Sequence, residues 1–138
     1  MGIGEIWVCA RDGEAGRHIK KVFDEANLFN PLRIIDGAFD FDAHFKCDGE
    51  NPALLLLDLD LPGQRVWQII SAIRGTGFEP RLSIVALVDD STEQLLDQAY
   101  DAGVKTYLRK PLAFGEFVAC TRLLNMQLMI DHPDGSSR

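Results

Sequence analysis

The stretch Leu54-Leu55-Leu56-Leu57-Asp58-Leu59-Asp60-Leu61-Pro62-Gly63 decides the fold. Four consecutive leucines with no polar break read as a strand covered on both faces, as inside a parallel sheet. A carboxylate at its C-terminal end, followed by a Pro-Gly turn, falls where open α/β sheets place their chemistry. A second short run, Tyr107-Leu108-Arg109-Lys110-Pro111, ends with a lysine at the same edge. An aspartate and a lysine so placed form a charge pair able to handle a phosphoryl group. The first strand, Glu5-Ile6-Trp7-Val8-Cys9, runs into Ala10-Arg11, where a metal site would need acids.

Outward from these stretches, short apolar strands alternate with helical segments. The pattern predicts strands over 5–9, 32–35, 53–57, 82–88 and 104–108. Helices are predicted over 14–26, 38–45, 64–74, 91–102 and 114–129. In the first helix Ile19, Val22, Phe23 and Ala26 recur at i, i+3, i+4, i+7. In the fourth, Ser91-Thr92-Glu93-Gln94 reads as a capping box, Asp89-Asp90 as acids preceding the helix N-terminus rather than metal ligands, and Gly103 as the C-cap. Five βα units predict an α/β fold, a flavodoxin-like (βα)5 doubly wound parallel sheet of five strands in order 2-1-3-4-5. One domain over 1–130 is expected, with a polar, disordered tail over 131–138.

Composition narrows the function. The chain has 138 residues and a formal net charge of −7, which argues against a nucleic-acid surface and against anionic membranes. No apolar run approaches 18 residues, and the N-terminus has neither a basic nor an apolar leader region, so a cytoplasmic protein is expected. Cys9, Cys47 and Cys120 form no CxxC pair and read as reduced thiols. His18, His44 and His132 are scattered and suggest no metal cluster.

With these features in place, the chain resembles the CheY-like receiver domain of two-component response regulators, over roughly residues 4–130. The resemblance rests on the hhhhD-x-D-x-P-G element at Leu54 to Gly63, the Ala102-Gly103 pair, and Tyr107 three residues before Lys110-Pro111. The segment from Asn30 to Gly37 also resembles the second strand of single-domain receivers that partner phytochrome-type sensor kinases. The resemblance implies that Asp58 accepts a phosphoryl group from a kinase histidine, and that Lys110, ahead of a cis Pro111, pairs with it. It implies Mg²⁺ held by an acidic pair after strand one, by Asp58 and by the carbonyl of Asp60. It also implies a strand-four hydroxyl that grips the phosphoryl group and couples to Tyr107. Partners would be a sensor histidine kinase or a downstream effector, bound through the fourth and fifth helices and the fifth strand. By the same analogy that surface could form a homodimer.

Three positions depart from the family. The acidic pair aligns with Ala10 and Arg11, the hydroxyl with Val88, and the usual Asp-Gly with Arg65-Val66. Mg²⁺ needs near-octahedral oxygen ligands, and here Asp58 stands with Asp12 and Asp60 as substitute candidates. A guanidinium about 4 Å from Asp58 would attract it by about 4 kcal/mol at an effective dielectric near 20 and would repel Mg²⁺. Arg11 and Lys110 are therefore expected to flank Asp58 in the metal's place. Val88 offers no donor to a phosphoryl oxygen, so coupling to Tyr107 should be weak.

The reading that follows is a non-enzymatic, stand-alone receiver-like domain acting by protein–protein interaction, with phosphorylation at Asp58 impaired or absent. The alternative is a conventional receiver phosphorylated on Asp58. A haloacid-dehalogenase-like phosphatase is a remote alternative, because Pro62 replaces the threonine its motif needs. A flavodoxin-type FMN site is disfavoured by the acids of Asp12-Gly13-Glu14.

Overall fold

The computed structural model describes residues 4–11, 13–36, 38–41, 43, 52–75 and 82–130. The elements are β1 (Ile6–Cys9), α1 (Gly13–Glu25), β2 (Leu32–Ile35), β3 (Leu54–Asp58), α2 (Arg65–Arg74) and β4 (Ser83–Val88). A 3-10 turn (Glu93–Leu95) then leads into α3 (Leu96–Ala102), followed by β5 (Thr106–Arg109) and α4 (Phe114–Leu123). The strands form one sheet in the order β2-β1-β3-β4-β5, every neighbouring pair parallel. The sheet order matches the sequence expectation. Of the predicted helix over 38–45, residues 42, 44 and 45 lie outside the described residues, as does the whole of the tail over 131–138.

The leucine run lies between β1 and β4, and all five residues of β3 are buried. Because strand side chains alternate between faces, the run feeds two separate cores. Leu55 and Leu57 join Trp7, Cys9, Ile84 and Ala86 beneath α2, which contributes Val66, Ile69, Ile70 and Ile73. Leu54 and Leu56 join Ile6, Val8, Val85 and Leu87 on the opposite face, under Ile19 and Phe23 of α1 and Phe117 of α4. Fully burying one leucine contributes about 1.5–3 kcal/mol. The run therefore anchors the sheet from both sides and fixes the place of Asp58 at its end.

Two predicted elements are shorter than expected. The last helix ends at Leu123, and Asn125 adopts φ 56°. The chain beyond is extended, with an antiparallel bridge between Leu28 and Ile130 and a 2.7 Å bond from the Phe29 amide to the Met129 carbonyl. Buried Asn30 pins this segment: its Nδ2 donates to the carbonyls of Gly4 and Gln127, and its Oδ1 accepts from the Met129 amide. Leu124 and Leu128 pack on the core from this strap rather than from a longer helix.

The fourth helix also starts late. Ser91 does not act as its cap, because Asp89 is the acceptor. Asp89 Oδ1 takes bonds from the Ser91 amide, the Ser91 hydroxyl and the Thr92 amide. The α-helical turns begin only at Leu96, and Gly103 closes them in the left-handed region at φ 116°, where a side chain would be strained.

Candidate functional site

The site lies at the C-terminal edge of the sheet, on β3, β4 and β5. Asp58 is the last residue of β3 and pairs in register with Leu87 of β4. Val88, the next β4 residue, pairs with Arg109 of β5. Lys110 follows immediately, and its amide donates to the Val88 carbonyl at 2.8 Å. Two strand spacings separate β5 from β3, roughly 10 Å, which an extended lysine side chain can bridge. Its Nζ reaches Asp58 Oδ1 at 2.9 Å. The Lys110-Pro111 peptide is cis.

Asp58 has a side chain only 2% exposed, while that of Lys110 is 23% exposed. A buried carboxylate needs both a counter-charge and hydrogen bonds. Asp58 has the ammonium of Lys110 and, on the same oxygen, the Asp60 amide at 3.0 Å. Burial alone pulls the Lys110 ammonium down. The hydrogen bond and charge of Asp58, with Asp89 adding to them, outweigh that and hold its pKa above the usual lysine value.

Arg11 does not join Asp58, contrary to expectation. Its guanidinium pairs with Asp60 Oδ2 at 3.3 Å, in a contact whose side chains are 58% and 39% exposed. The reason is geometric. Asp58 is withdrawn into the sheet end, whereas Asp60 lies two residues further along the connection leaving β3, at the exposed mouth. An exposed pair of this kind contributes about 0–1 kcal/mol, so Arg11 adds little to the stability of the fold. Asp12 lies outside the described residues.

Asp89 is the site residue that the sequence reading placed only at a helix start. Its Oδ2 lies 3.5 Å from Lys110 Nζ, so one lysine serves two carboxylates. The Ser91 hydroxyl bond is the main cause that lowers the Asp89 pKa to about 2, with Lys110 and Thr92 assisting against partial burial. The clue lay in the sequence: an acid immediately after the position where the hydroxyl is missing. Val88 itself is fully buried, and Tyr107 is exposed. Beside Lys110 a cleft of about 440 Å³ opens between His18 and Ile19 of α1 and the Pro111-Leu112 turn.

Among the described residues, which leave out Asp12, the donor set does not suit Mg²⁺. Among the described residues no three His, Cys, Asp or Glu side chains gather into a metal-binding group. The two carboxylates at the end of β3 already face cations, Asp58 facing Lys110 and Asp60 facing Arg11.

A comparison with known proteins bears on this geometry. No protein-family model matches the chain. It is 38% identical over 92 residues to the transcriptional regulatory protein HprR of Escherichia coli K12, covering 64% of this chain and 39% of HprR. It is 34% identical over 82 residues to the transcriptional regulatory protein KdpE of Staphylococcus aureus, covering 59% of this chain and 34% of KdpE. The chain thus spans well under half the length of these relatives. Its fold superposes on the bacteriophytochrome response regulator RtBRR with a TM-score of 0.74 and 25% identity, covering 95% of this chain and 83% of that one.

The chain is a receiver domain of the response-regulator type. A receiver domain of a sensor histidine kinase from Pseudomonas aeruginosa, described with magnesium coordinated in its cleft, shares the fold at a TM-score of 0.67. It is 18% identical over 90% of this chain and 99% of that one. Among the described residues of the present receiver no helix is long and apolar enough to cross a membrane.

The buried pair makes a direct prediction. Lys110→Met leaves Asp58 buried without its counter-charge, a change that costs about 3–5 kcal/mol where burial is complete. Partial solvation of Lys110 places the expected loss near the lower end, read by urea denaturation. Asp58→Asn combined with Lys110→Met should recover most of it. A full additive loss in the double variant would show that the two residues are not paired.

Asp89 makes a second prediction. Its folded pKa of about 2 lies below the reference 3.8, so it stabilises the fold above about pH 4 and loses that contribution as pH falls toward 2. Wild type should therefore exceed Asp89→Asn in stability at neutral pH, and the gap should close between about pH 4 and pH 2. A gap independent of pH across that interval would contradict the assignment.

Proposed function

We propose that this receiver domain works by binding a protein partner through a fixed surface, with Mg²⁺-dependent phosphorylation of Asp58 impaired or absent. The observation that carries this reading is the pairing of Arg11 with Asp60 beside the Asp58–Lys110 pair. The receiver pattern puts an acidic pair at Ala10 and Arg11, and here one of those positions is a cation. Phosphoryl transfer relies on metal to neutralise developing charge. With the carboxylates already matched by Arg11 and Lys110, a divalent ion gains little and meets repulsion. Val88 adds to this reading, because it has no hydroxyl to hold a phosphoryl oxygen.

The partner surface is proposed to be α3, β5 and α4, the elements that correspond to the fourth helix, fifth strand and fifth helix of the sequence pattern. Tyr100 and Tyr107 are exposed there. A sensor histidine kinase or a downstream effector is the proposed partner, and a second copy of the chain would use the same surface. The likeness to RtBRR directs the search toward phytochrome-type sensor kinases. The role is one of signalling, without enzymatic turnover, in the cytoplasm.

A second reading is favoured by one observation, the intact Asp58–Lys110 pair at 2.9 Å. On that reading Asp58 is phosphorylated in the usual way. Acetyl phosphate with Mg²⁺, followed by intact mass, separates the two. Wild type should show no adduct, whereas Ala10→Glu with Arg11→Asp should gain one that Asp58→Asn abolishes. A metal-dependent adduct on wild type, lost in Asp58→Asn, would establish the conventional receiver instead.

A further inference from the structure

The connection from β4 to α3 is fastened to β5 at two adjacent residues. Arg109 holds Asp90 and Glu93 from the solvent side, the latter at 3.2 Å. Lys110 faces Asp89 from the site side at 3.5 Å. The two contacts differ in what lies behind them. Arg109 leads only to solvent, whereas Lys110 leads on to the buried carboxylate of Asp58 at 2.9 Å.

The two oxygens of Asp89 divide their work. Oδ1 accepts from the Ser91 amide at 2.9 Å, the Ser91 hydroxyl at 2.6 Å, the Thr92 amide at 3.2 Å and the Thr92 hydroxyl at 3.2 Å. It is committed to shaping the turn. Oδ2 faces Lys110. The Asp89 carbonyl accepts from the Thr92 and Glu93 amides, and the Thr92 side chain is buried. A shift of the Asp89 carboxylate would therefore displace residues 89–93 together, because four hydrogen bonds tie the turn to it.

We propose that Asp89 is a positioning residue that couples the Asp58–Lys110 pair to the β4–α3 connection, supplying Lys110 with a standing second negative charge. Asp58, Lys110 and Asp89 form one chain of charge from the buried end of β3 to the turn that starts α3. The turn is thereby held in one arrangement with no covalent change at Asp58. A change of charge at either end of the chain loosens the turn, and with it the start of the proposed partner surface. This inference rests on the fixed-surface reading and names the residue that does the fixing.

The test separates the ion pair from the turn bonds. Asp89→Asn keeps a side-chain oxygen for the Ser91 and Thr92 donors and removes the charge that faces Lys110. Lys110→Gln removes the other charge. Amide hydrogen exchange at Ser91, Thr92 and Glu93 is then read in wild type, each single variant and the double. Each single variant should raise exchange at these amides by about two- to fivefold, as for an opening that a partly solvated ion pair controls. The double variant should match the singles, because the same link is lost. Effects that multiply, or Lys110→Gln leaving these amides unchanged, would overturn the proposal.

If Lys110→Gln does not fold, Asp58→Asn with Lys110→Gln provides a background without a stranded buried charge. There the proposal requires that adding Asp89→Asn changes exchange no further, and a further rise overturns it. The same wild-type sample is treated with acetyl phosphate and Mg²⁺. An adduct together with non-additive exchange sinks the fixed-surface reading and retains the Asp89 link. No adduct together with multiplicative effects sinks the Asp89 link alone.

Discussion

A carboxylate buried at the end of a central strand must be matched by charge, and the sheet edge is organised around that requirement. Asp58 lies at the end of four buried leucines that anchor both cores. Left unpaired, it would carry a large desolvation penalty. Lys110 meets the need from two strands away, at 2.9 Å, from its place just past the end of β5. The parallel order β3-β4-β5 makes this reach possible, because all three strands end at the same edge. Packing in the sheet and charge matching at its edge are therefore one constraint.

What distinguishes this receiver is where the balancing charge comes from. In the pattern it resembles, acids after the first strand recruit a metal. Here Ala10 is buried and apolar, and Arg11 extends to Asp60. In the structure the compensation comes from side chains of the protein. Asp89 extends the same logic by using the far side of Lys110 and joining it to the turn ahead of α3. Two cations, Arg11 and Lys110, face three anions, Asp60, Asp58 and Asp89, which leaves these five side chains with one net negative charge in a chain of net charge −7.

The fold was readable from hydrophobic pattern because its determinants are local. The uninterrupted leucines, the 3.6-residue stripe of α1 and the glycine after α3 each state their element directly. Asp58 and Lys110 were also legible, since each ends a strand and sheet topology brings strand ends together. The contacts set by side-chain reach across loops were not. Arg11 was expected on Asp58 because the two strand ends are neighbours, but burial withdraws Asp58 and the more exposed Asp60 takes the guanidinium. Asp89 looked like a plain helix-start acid, because nothing local says that its second oxygen faces Lys110. The last helix was read as six residues too long, because the apolar spacing of Leu124 and Leu128 is also satisfied by the strap that Asn30 pins.

The claim on which the rest turns is that protein cations, not a divalent metal, balance the carboxylates at this edge. A titration with Mg²⁺ followed by amide NMR shifts tests it directly, read at Asp58, Asp60, Asp89 and Lys110. Wild type should show no saturable shift at these amides through millimolar Mg²⁺, with only weak, general salt effects. A saturable shift confined to these residues at low millimolar Mg²⁺ would contradict the claim and return the site to metal-dependent chemistry.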